Sequence, residues 1–203
     1  MSKIGIDLDG VLYNFGDSVK RYLEHTDRGH IWKSGPTDTP YWDFYKDWGW
    51  TGEEFVELCN DGVDAGIIFR GPMRMHAAGA VIKLYNAGHD LIIITDRSFG
   101  SDPEKSQEAT KLWWKENNLP PYHKLIFSSD KTVEYTDFFV EDKLENYDAL
   151  TAAGTDTYLV NRPWNYVDGE EHDTRQRIDC VCFYPVKVTA SLMERNLRAV
   201  HSL

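Results

Sequence analysis

Four short apolar runs in the chain each end on a residue that can handle phosphate. Ile4-Gly5-Ile6 leads into Asp7-Leu8-Asp9-Gly10, and Leu91-Ile92-Ile93-Ile94 leads into Thr95-Asp96. Leu125-Ile126-Phe127 leads into Ser128-Ser129-Asp130-Lys131, and Phe138-Phe139-Val140 into Glu141-Asp142. Buried parallel strands read as continuous apolar runs, and in an open α/β sheet ligands bind just beyond the carboxyl ends of the strands. Were the four runs neighbours, two carboxylates, a hydroxyl, an ammonium and an acidic pair would meet at one spot. Packed anions repel unless a cation lies among them, so this set calls for a hard, oxygen-loving metal such as Mg²⁺.

The elements that must position these residues follow from periodicity and punctuation. Lys3 to Leu8 reads as the first strand, and Asn14 to Glu24 as a helix with Val19, Tyr22 and Leu23 on one stripe. Between Thr26 and Gly71 the pattern breaks for about 45 residues, too long for a structureless connection and suited to an inserted helical cap. His25-Thr26-Asp27-Arg28-Gly29 and Lys33-Ser34-Gly35-Pro36 are loop-like. An aromatic cluster from Tyr41 to Trp50 follows, and then Thr51-Gly52-Glu53-Glu54 offers a capping box for a helix carrying Phe55, Leu58 and Cys59.

From Met73 the alternation resumes, with Ala78, Val81, Ile82 and Tyr85 at helical spacing and Gly88 placed to close the helix. Asp102-Pro103 fits the N-cap and first position of a helix with Ala109, Leu112 and Trp113 on its inner face. A helix with Leu144, Tyr147 and Leu150, ended by Gly154, precedes a fifth strand at Thr157 to Val160. Val167 to Arg177 reads as a polar loop, Cys180 to Val188 as a final strand and the tail from Ser191 as a helix. The expected class is α/β, a Rossmann-like parallel sheet flanked by helices. The core would span 1–15 and 72–203, with a small, mainly helical cap at 16–71.

Composition bounds the partners. The 203 residues carry 22 basic and 33 acidic side chains, a net charge of −11, which argues against general affinity for nucleic acid or an anionic membrane. Nucleotides as small ligands are not excluded, because a bound metal and local cations can reverse the field at a site. Only three cysteines occur; Cys180-x-Cys182 lacks zinc-knuckle spacing and reads as packing. The first residues enter a strand with no signal-peptide pattern, and a cytoplasmic location is the expectation. Asp168-Gly169-Glu170-Glu171 reads as a solvated acidic loop, and His25 and His30 have no metal-ligand partner at suitable spacing.

Asp7-Leu8-Asp9-Gly10-Val11-Leu12 resembles the first motif of the haloacid dehalogenase superfamily. The resemblance implies that Asp7 attacks phosphorus and that Asp9 is general acid and base. Thr95 matches the second motif, a hydroxyl for the transferring phosphoryl group; Lys131 matches the third, an ammonium that neutralises charge; Glu141-Asp142 matches the fourth, an acidic pair that holds Mg²⁺. The implied metal set is Asp7, Asp9, Asp142 and Glu141.

The stretch from Ser129 to Asp142, Phe15, and Val160-Asn161-Arg162-Pro163-Trp164-Asn165 are similar to the 5′(3′)-deoxyribonucleotidases. That likeness implies a base pocket of cap aromatics, for which Phe15, Phe44 and Trp48 are the candidates. Two departures stand out: Glu141 replaces the usual Asp, and Asp96-Arg97 follows Thr95, altering charge beside the phosphate. Asp96 and Arg97 are therefore substrate-binding candidates as well. The expected activity is Mg²⁺-dependent phosphomonoester hydrolysis of a nucleoside monophosphate. Another small phosphate ester, a nucleic-acid 3′-phosphate and a non-catalytic metal- or nucleotide-binding module remain as alternatives. The expected partner is the small-molecule nucleotide, with no nucleic acid and no membrane; a homodimer is left open.

Overall fold

The computed structural model describes residues 1–32, 39–166 and 173–201. Among these residues six strands, β1 (Lys3–Ile6), β2 (Asp90–Thr95), β3 (Lys124–Phe127), β4 (Phe138–Glu141), β5 (Asp156–Val160) and β6 (Arg177–Ile178), form one sheet in the order β3-β2-β1-β4-β5-β6. Every neighbouring pair is parallel. The four apolar runs are thus adjacent strands, and their carboxyl ends share one edge. The chain winds outward from β1 to β3, then crosses back to β4 on β1's other side. This reversal opens a crevice at the ends of β1 and β4, where ligands of open α/β sheets bind.

Why β2 is apolar from Leu91 to Ile94 follows from its two covered faces. Leu91 and Ile93 join the larger core cluster, whereas Ile92 and Ile94 pack with Phe139 and Leu150 on the opposite face. Each such side chain stabilises by roughly 1.5–3 kcal/mol on burial. Gly5 sits opposite Phe139 in the ladder, and a Cβ there would lie 2.1 Å from the Phe139 ring. The missing side chain is what lets that ring cross β1.

Among the described residues six helices surround the sheet: α1 (Phe15–His25), α2 (Gly52–Asp64), α3 (Ala77–Asn86), α4 (Pro103–Glu116), α5 (Leu144–Ala152) and α6 (Tyr184–His201). Their ends follow the capping residues: Asn14 caps α1, Thr51 and Glu54 form the capping box of α2, and Asp102 with Pro103 starts α4. Gly88 and Gly154 take the left-handed conformation just after α3 and α5. Among the described residues no helix is long and apolar enough to cross a membrane.

Some expectations are corrected. Cys180–Val188 is not a strand: β6 ends at Ile178, a 3₁₀ turn covers Val181–Phe183, and α6 begins at Tyr184. Tyr184, Pro185 and Val188 are buried one helical turn apart, and proline is tolerated in a first turn. Cys180 and Cys182 do not share a strand face; the Cys180 Sγ accepts the Cys182 N–H locally. On α3 the inner stripe is Ala77, Ala80, Val81 and Leu84, leaving Ile82 and Tyr85 exposed; on α4 Leu112 is exposed beside buried Trp113. In α3 small alanines rather than the bulkiest residues face inward. Lys33–Pro36 and the acidic run at 168–171 lie outside the described residues.

The segment between β1 and α3 leaves and returns at one place. Tyr13 bridges Met73 in antiparallel fashion, the Asn14 N–H donates to the Pro72 carbonyl over 3.0 Å, and the Arg74 N–H donates to Leu12 over 2.8 Å. Beyond this neck lie α1, short 3₁₀ turns at Gly29–Ile31 and Phe44–Trp48, and α2.

Candidate active site

The carboxyl edge gathers the charged residues of all four runs. Asp7, one residue past β1, is buried, and Lys131 donates from Nζ to its Oδ1 over 2.8 Å. A second Lys131 donor reaches the carbonyl of Ile94 over 3.1 Å, so the ammonium is anchored between β1 and β2. Glu141 and Asp142, at the end of β4, are both 0% exposed. Oxygens of Asp7, Glu141 and Asp142 lie within 4.8 Å of one another.

Three buried carboxylates this close cannot all ionise comfortably. Desolvation, partly offset by Lys131, pushes Asp7 above its usual range. Desolvation, with the charge of Asp7, pushes Asp142 up to about 7 and Glu141 well above normal. Lys131 is held above its ordinary value because the charges of Asp7, Glu141 and Asp9 outweigh its desolvation. Glu141 Oε1 accepts from the N–H groups of Asp142 and Lys143, both over 3.1 Å, fixing the turn after β4. Glu141 Oε2 and Asp142 Oδ1 are buried and have no hydrogen-bond partner among the described residues. Buried anionic oxygens without donors are costly, and a hard cation among them would remove the cost.

Gly10 makes the space for this cluster. It has φ +82°, and a Cβ there would lie 1.9 Å from Asp142 Oδ2. The run after β5 then braces the acidic pair. Trp164 donates from Nε1 to Asp142 Oδ2 over 2.8 Å, and Asn165 Nδ2 bridges the carbonyls of Asp142 and Val160 over 2.8 Å each. Arg162 donates from Nε to the Gly10 carbonyl over 2.6 Å.

A cavity of about 300 Å³ opens over Asp7, Asp9 and Lys131, at the lower end of the range for small-ligand sites. Its apolar wall is Phe15, Trp42, Phe55, Phe69 and Phe99, and its polar rim includes Asp96, Ser129, Lys143 and Asn146. Phe99 stacks on Phe15 at 6.3 Å and on Phe69 at 6.0 Å, with interplanar angles of 21° and 17°. Trp42 lies flat against Trp164, centroids 4.9 Å apart, and Lys143 sits 5.0 Å over the Trp42 ring.

The structure places Asp7, Asp9, Lys131, Phe15 and Asp96 on this cavity. Thr95 is wholly buried and does not line the cavity, its hydroxyl donating to Asp9 Oδ2 over 3.4 Å. Phe44 and Trp48 are not on the cavity wall. Phe44 is buried against Trp32, Trp48 and Phe55, and Trp48 packs on Trp32 and Trp50, so both build the insert's own core. Arg97 does not face the cavity either: it is 2% exposed and grips Asp9 from behind. The Asp9 side chain lies outside the compact acidic cluster of Asp7, Glu141 and Asp142. The sequence reading missed Trp42, Phe55, Phe69, Phe99 and Lys143. Position alone signals Phe99 and Lys143, since both follow directly on strand-end motifs; nothing local marks Phe69.

Comparison with known proteins gives the fold a name. A solved haloacid dehalogenase-like family hydrolase from Streptococcus pneumoniae superposes with a TM-score of 0.59 at 13% identity, covering 95% of this chain and 98% of that one. The chain has the haloacid dehalogenase fold. A second structure with this fold, a D,D-heptose 1,7-bisphosphate phosphatase from B. bronchiseptica complexed with magnesium and phosphate, has a TM-score of 0.52 at 11% identity. It covers 94% of this chain and 99% of its own. A Halalkalibacterium halodurans protein named "Putative nucleotidase" is 26% identical over 169 residues, 80% of this chain and 81% of that protein. No family model matches the sequence. The four apolar runs singled out in the sequence lie on the four adjacent strands of this fold.

Proposed function

We propose that the protein is a Mg²⁺-dependent phosphomonoesterase acting on nucleoside monophosphates, with 5′(3′)-deoxyribonucleotides as the substrate class that the sequence resemblance favours. The observation that carries the reading is one cavity with the lysine-held Asp7 on its floor and flat aromatic rings on its wall. The floor suits a phosphoryl group, and the wall suits a base, whose stacking contributes about 1–3 kcal/mol per base. The relative named as a nucleotidase supports the same substrate class.

The donor set fits Mg²⁺. All candidate ligands are hard oxygens, two of them are buried without partners, and Gly10 leaves room beside Asp142. Asp7 and Asp142 would hold the ion with the main-chain carbonyl of Asp9, and Glu141 would support it. When bound, the ion offsets negative charge on the nucleophile and on the phosphoryl oxygens. The related fold that holds magnesium and phosphate agrees with this choice.

The chemistry left to the side chains is positioning and proton movement. Lys131 holds Asp7 Oδ1, which leaves Oδ2 to attack phosphorus. As the aspartyl-phosphate bond forms, the bond from phosphorus to the sugar oxygen breaks, and Asp9 gives that oxygen a proton. A water then enters, Asp9 takes its proton, and the hydroxide attacks phosphorus. Phosphate leaves and Asp7 returns as a carboxylate. Lys131 faces charge throughout, and the Thr95 hydroxyl donates to Asp9. The insert serves as a cap, bringing Phe15, Trp42, Phe55 and Phe69 over the strand ends.

Phosphate release from a panel of nucleoside monophosphates, ribose phosphates and hexose phosphates tests the reading. Nucleoside monophosphates should show the highest kcat/KM. Preference for a sugar phosphate would leave only a general phosphatase, and no release from any ester would remove the activity altogether.

A further inference from the structure

Arg97 follows Thr95 by two residues on the loop leaving β2, yet its side chain is 0% exposed. Burying a guanidinium is expensive unless its donors find partners in good geometry. Here Nε donates to Asp9 Oδ2 over 2.9 Å and Nη2 donates to Asp9 Oδ1 over 3.0 Å, a two-point grip on one carboxylate. The third nitrogen, Nη1, donates to Thr110 Oγ1 on α4 over 3.2 Å. The guanidinium carbon lies 4.4 Å from the Tyr13 ring centroid, 4.6 Å from Phe69 and 5.7 Å from Trp113.

Those rings are themselves pinned. The Tyr13 hydroxyl donates to Ser18 and accepts the Gly71 N–H, while Trp113 Nε1 donates to the Gly71 carbonyl. The cage therefore ties Arg97 to the neck where the insert rejoins the core. Caged and anchored at all three nitrogens, Arg97 has little rotamer freedom, and neither has the carboxylate it grips. A buried ion pair is a poor device for stability alone, because apolar groups of the same volume do as well or better. What the pair supplies is direction, for an Asp9 side chain still 16% exposed on the cavity wall.

We infer that Arg97 is a positioning residue: it fixes the plane and reach of the Asp9 carboxylate toward the leaving oxygen without touching substrate. This rests on the phosphomonoesterase reading, in which Asp9 moves the proton. Lysine would offer a point charge in place of a planar fork, so Arg97→Lys keeps the charge and frees the carboxylate to turn.

The test compares a nucleoside monophosphate, whose sugar oxygen needs a proton to leave, with p-nitrophenyl phosphate, whose leaving group does not. Arg97→Lys should slow release of the alcohol in a single turnover, the step in which Asp9 gives its proton, by roughly ten- to a hundredfold on the nucleotide, as misplaced catalytic groups do, and by far less on the aryl ester, whereas the later release of phosphate, in which Asp9 takes a proton from water, should slow alike for both. Added to Asp9→Asn it should cost nothing more, because both changes act through one carboxylate. Thr110→Val, which keeps Arg97 but removes an anchor, should show the same leaving-group dependence at smaller size, and covers the case in which Arg97→Lys folds poorly. Equal losses on both esters in the alcohol-release step of either variant, or losses that multiply in the double variant, overturn the inference. Should the unmodified protein hydrolyse neither ester, the functional reading falls with it. The grip is then judged by unfolding: Asp9→Asn should lower Tm and a further Arg97→Met should restore part of it, whereas additive losses would refute the pairing.

Discussion

The buried acidic trio makes stability depend on pH and metal in a direction that can be worked out. Burial pushes Asp142 up to about 7 in the folded protein against an ordinary 3.8, a gain in proton affinity on the order of 4 kcal/mol. A raised folded pKa means that the native state holds the proton more tightly than the unfolded chain. Stability is therefore fully present below pH 3.8 and is lost as pH rises to about 7, by an upper bound on the order of 4 kcal/mol for this group. Asp7 and Glu141 shift the same way, while Lys131 titrates too high to matter in this window. His89, lowered by desolvation, acts oppositely and removes stability below about pH 6.5.

The assay is thermal unfolding from pH 5 to 8, in chelator and in saturating Mg²⁺, for the unmodified protein and for Asp142→Asn. In chelator, Tm should fall as pH rises from 5 to 8 by up to about 10 °C, given roughly 2–4 °C per kcal/mol at this size. Asp142→Asn should flatten that slope, and Mg²⁺ should raise Tm more at pH 8 than at pH 5, since the metal requires the ionised carboxylates. A slope unchanged by Asp142→Asn, or an equal Mg²⁺ effect at both ends, would refute the reasoning.

Three further outcomes are expected. Asp142→Ala should raise the Mg²⁺ concentration for half-maximal rate far more than Glu141→Gln, because Glu141 already spends Oε1 on two N–H groups; equal effects would reverse the assignment. Phe15→Ala or Phe99→Ala should shrink the preference for nucleoside over sugar phosphates, whereas Trp48→Ala should lower Tm and leave the preference alone; kcat/KM ratios decide. Gly10→Ala should weaken Mg²⁺ binding at least tenfold by calorimetry, since the new methyl costs about 1–2 kcal/mol in backbone strain and also displaces Asp142; unchanged affinity would show that Asp142 is not a ligand.

Much of this fold was legible because buried parallel strands announce themselves as apolar runs and each run here ends in chemistry. The caps at Asn14, Thr51 and Asp102 set helix starts to within a residue. Reading failed where tertiary contacts override local pattern. On α3, Ala77 and Ala80 face inward, so judging by bulk put Ile82 and Tyr85 on the wrong face. At 180–188 an apolar run fits strand or helix, and only the packing of Tyr184 and Val188 decides. In the site, the strand-end groups were visible, but the aromatic wall was not. Phe44 and Trp48 look no different in sequence from Trp42, which alone of the three reaches the cavity. Arg97 reads as a cation beside phosphate until its fork is seen closed on Asp9.

Covalent catalysis by Asp7 is tested most directly by a rapid acid quench during turnover of a nucleoside monophosphate, followed by mass spectrometry of the protein and its peptides. A phosphoryl group is expected on Asp7 of the unmodified protein, and none on Asp7→Asn, which should also lose turnover without losing its fold. Full turnover with no phosphorylated Asp7, or hydrolysis surviving in Asp7→Asn, would contradict covalent catalysis.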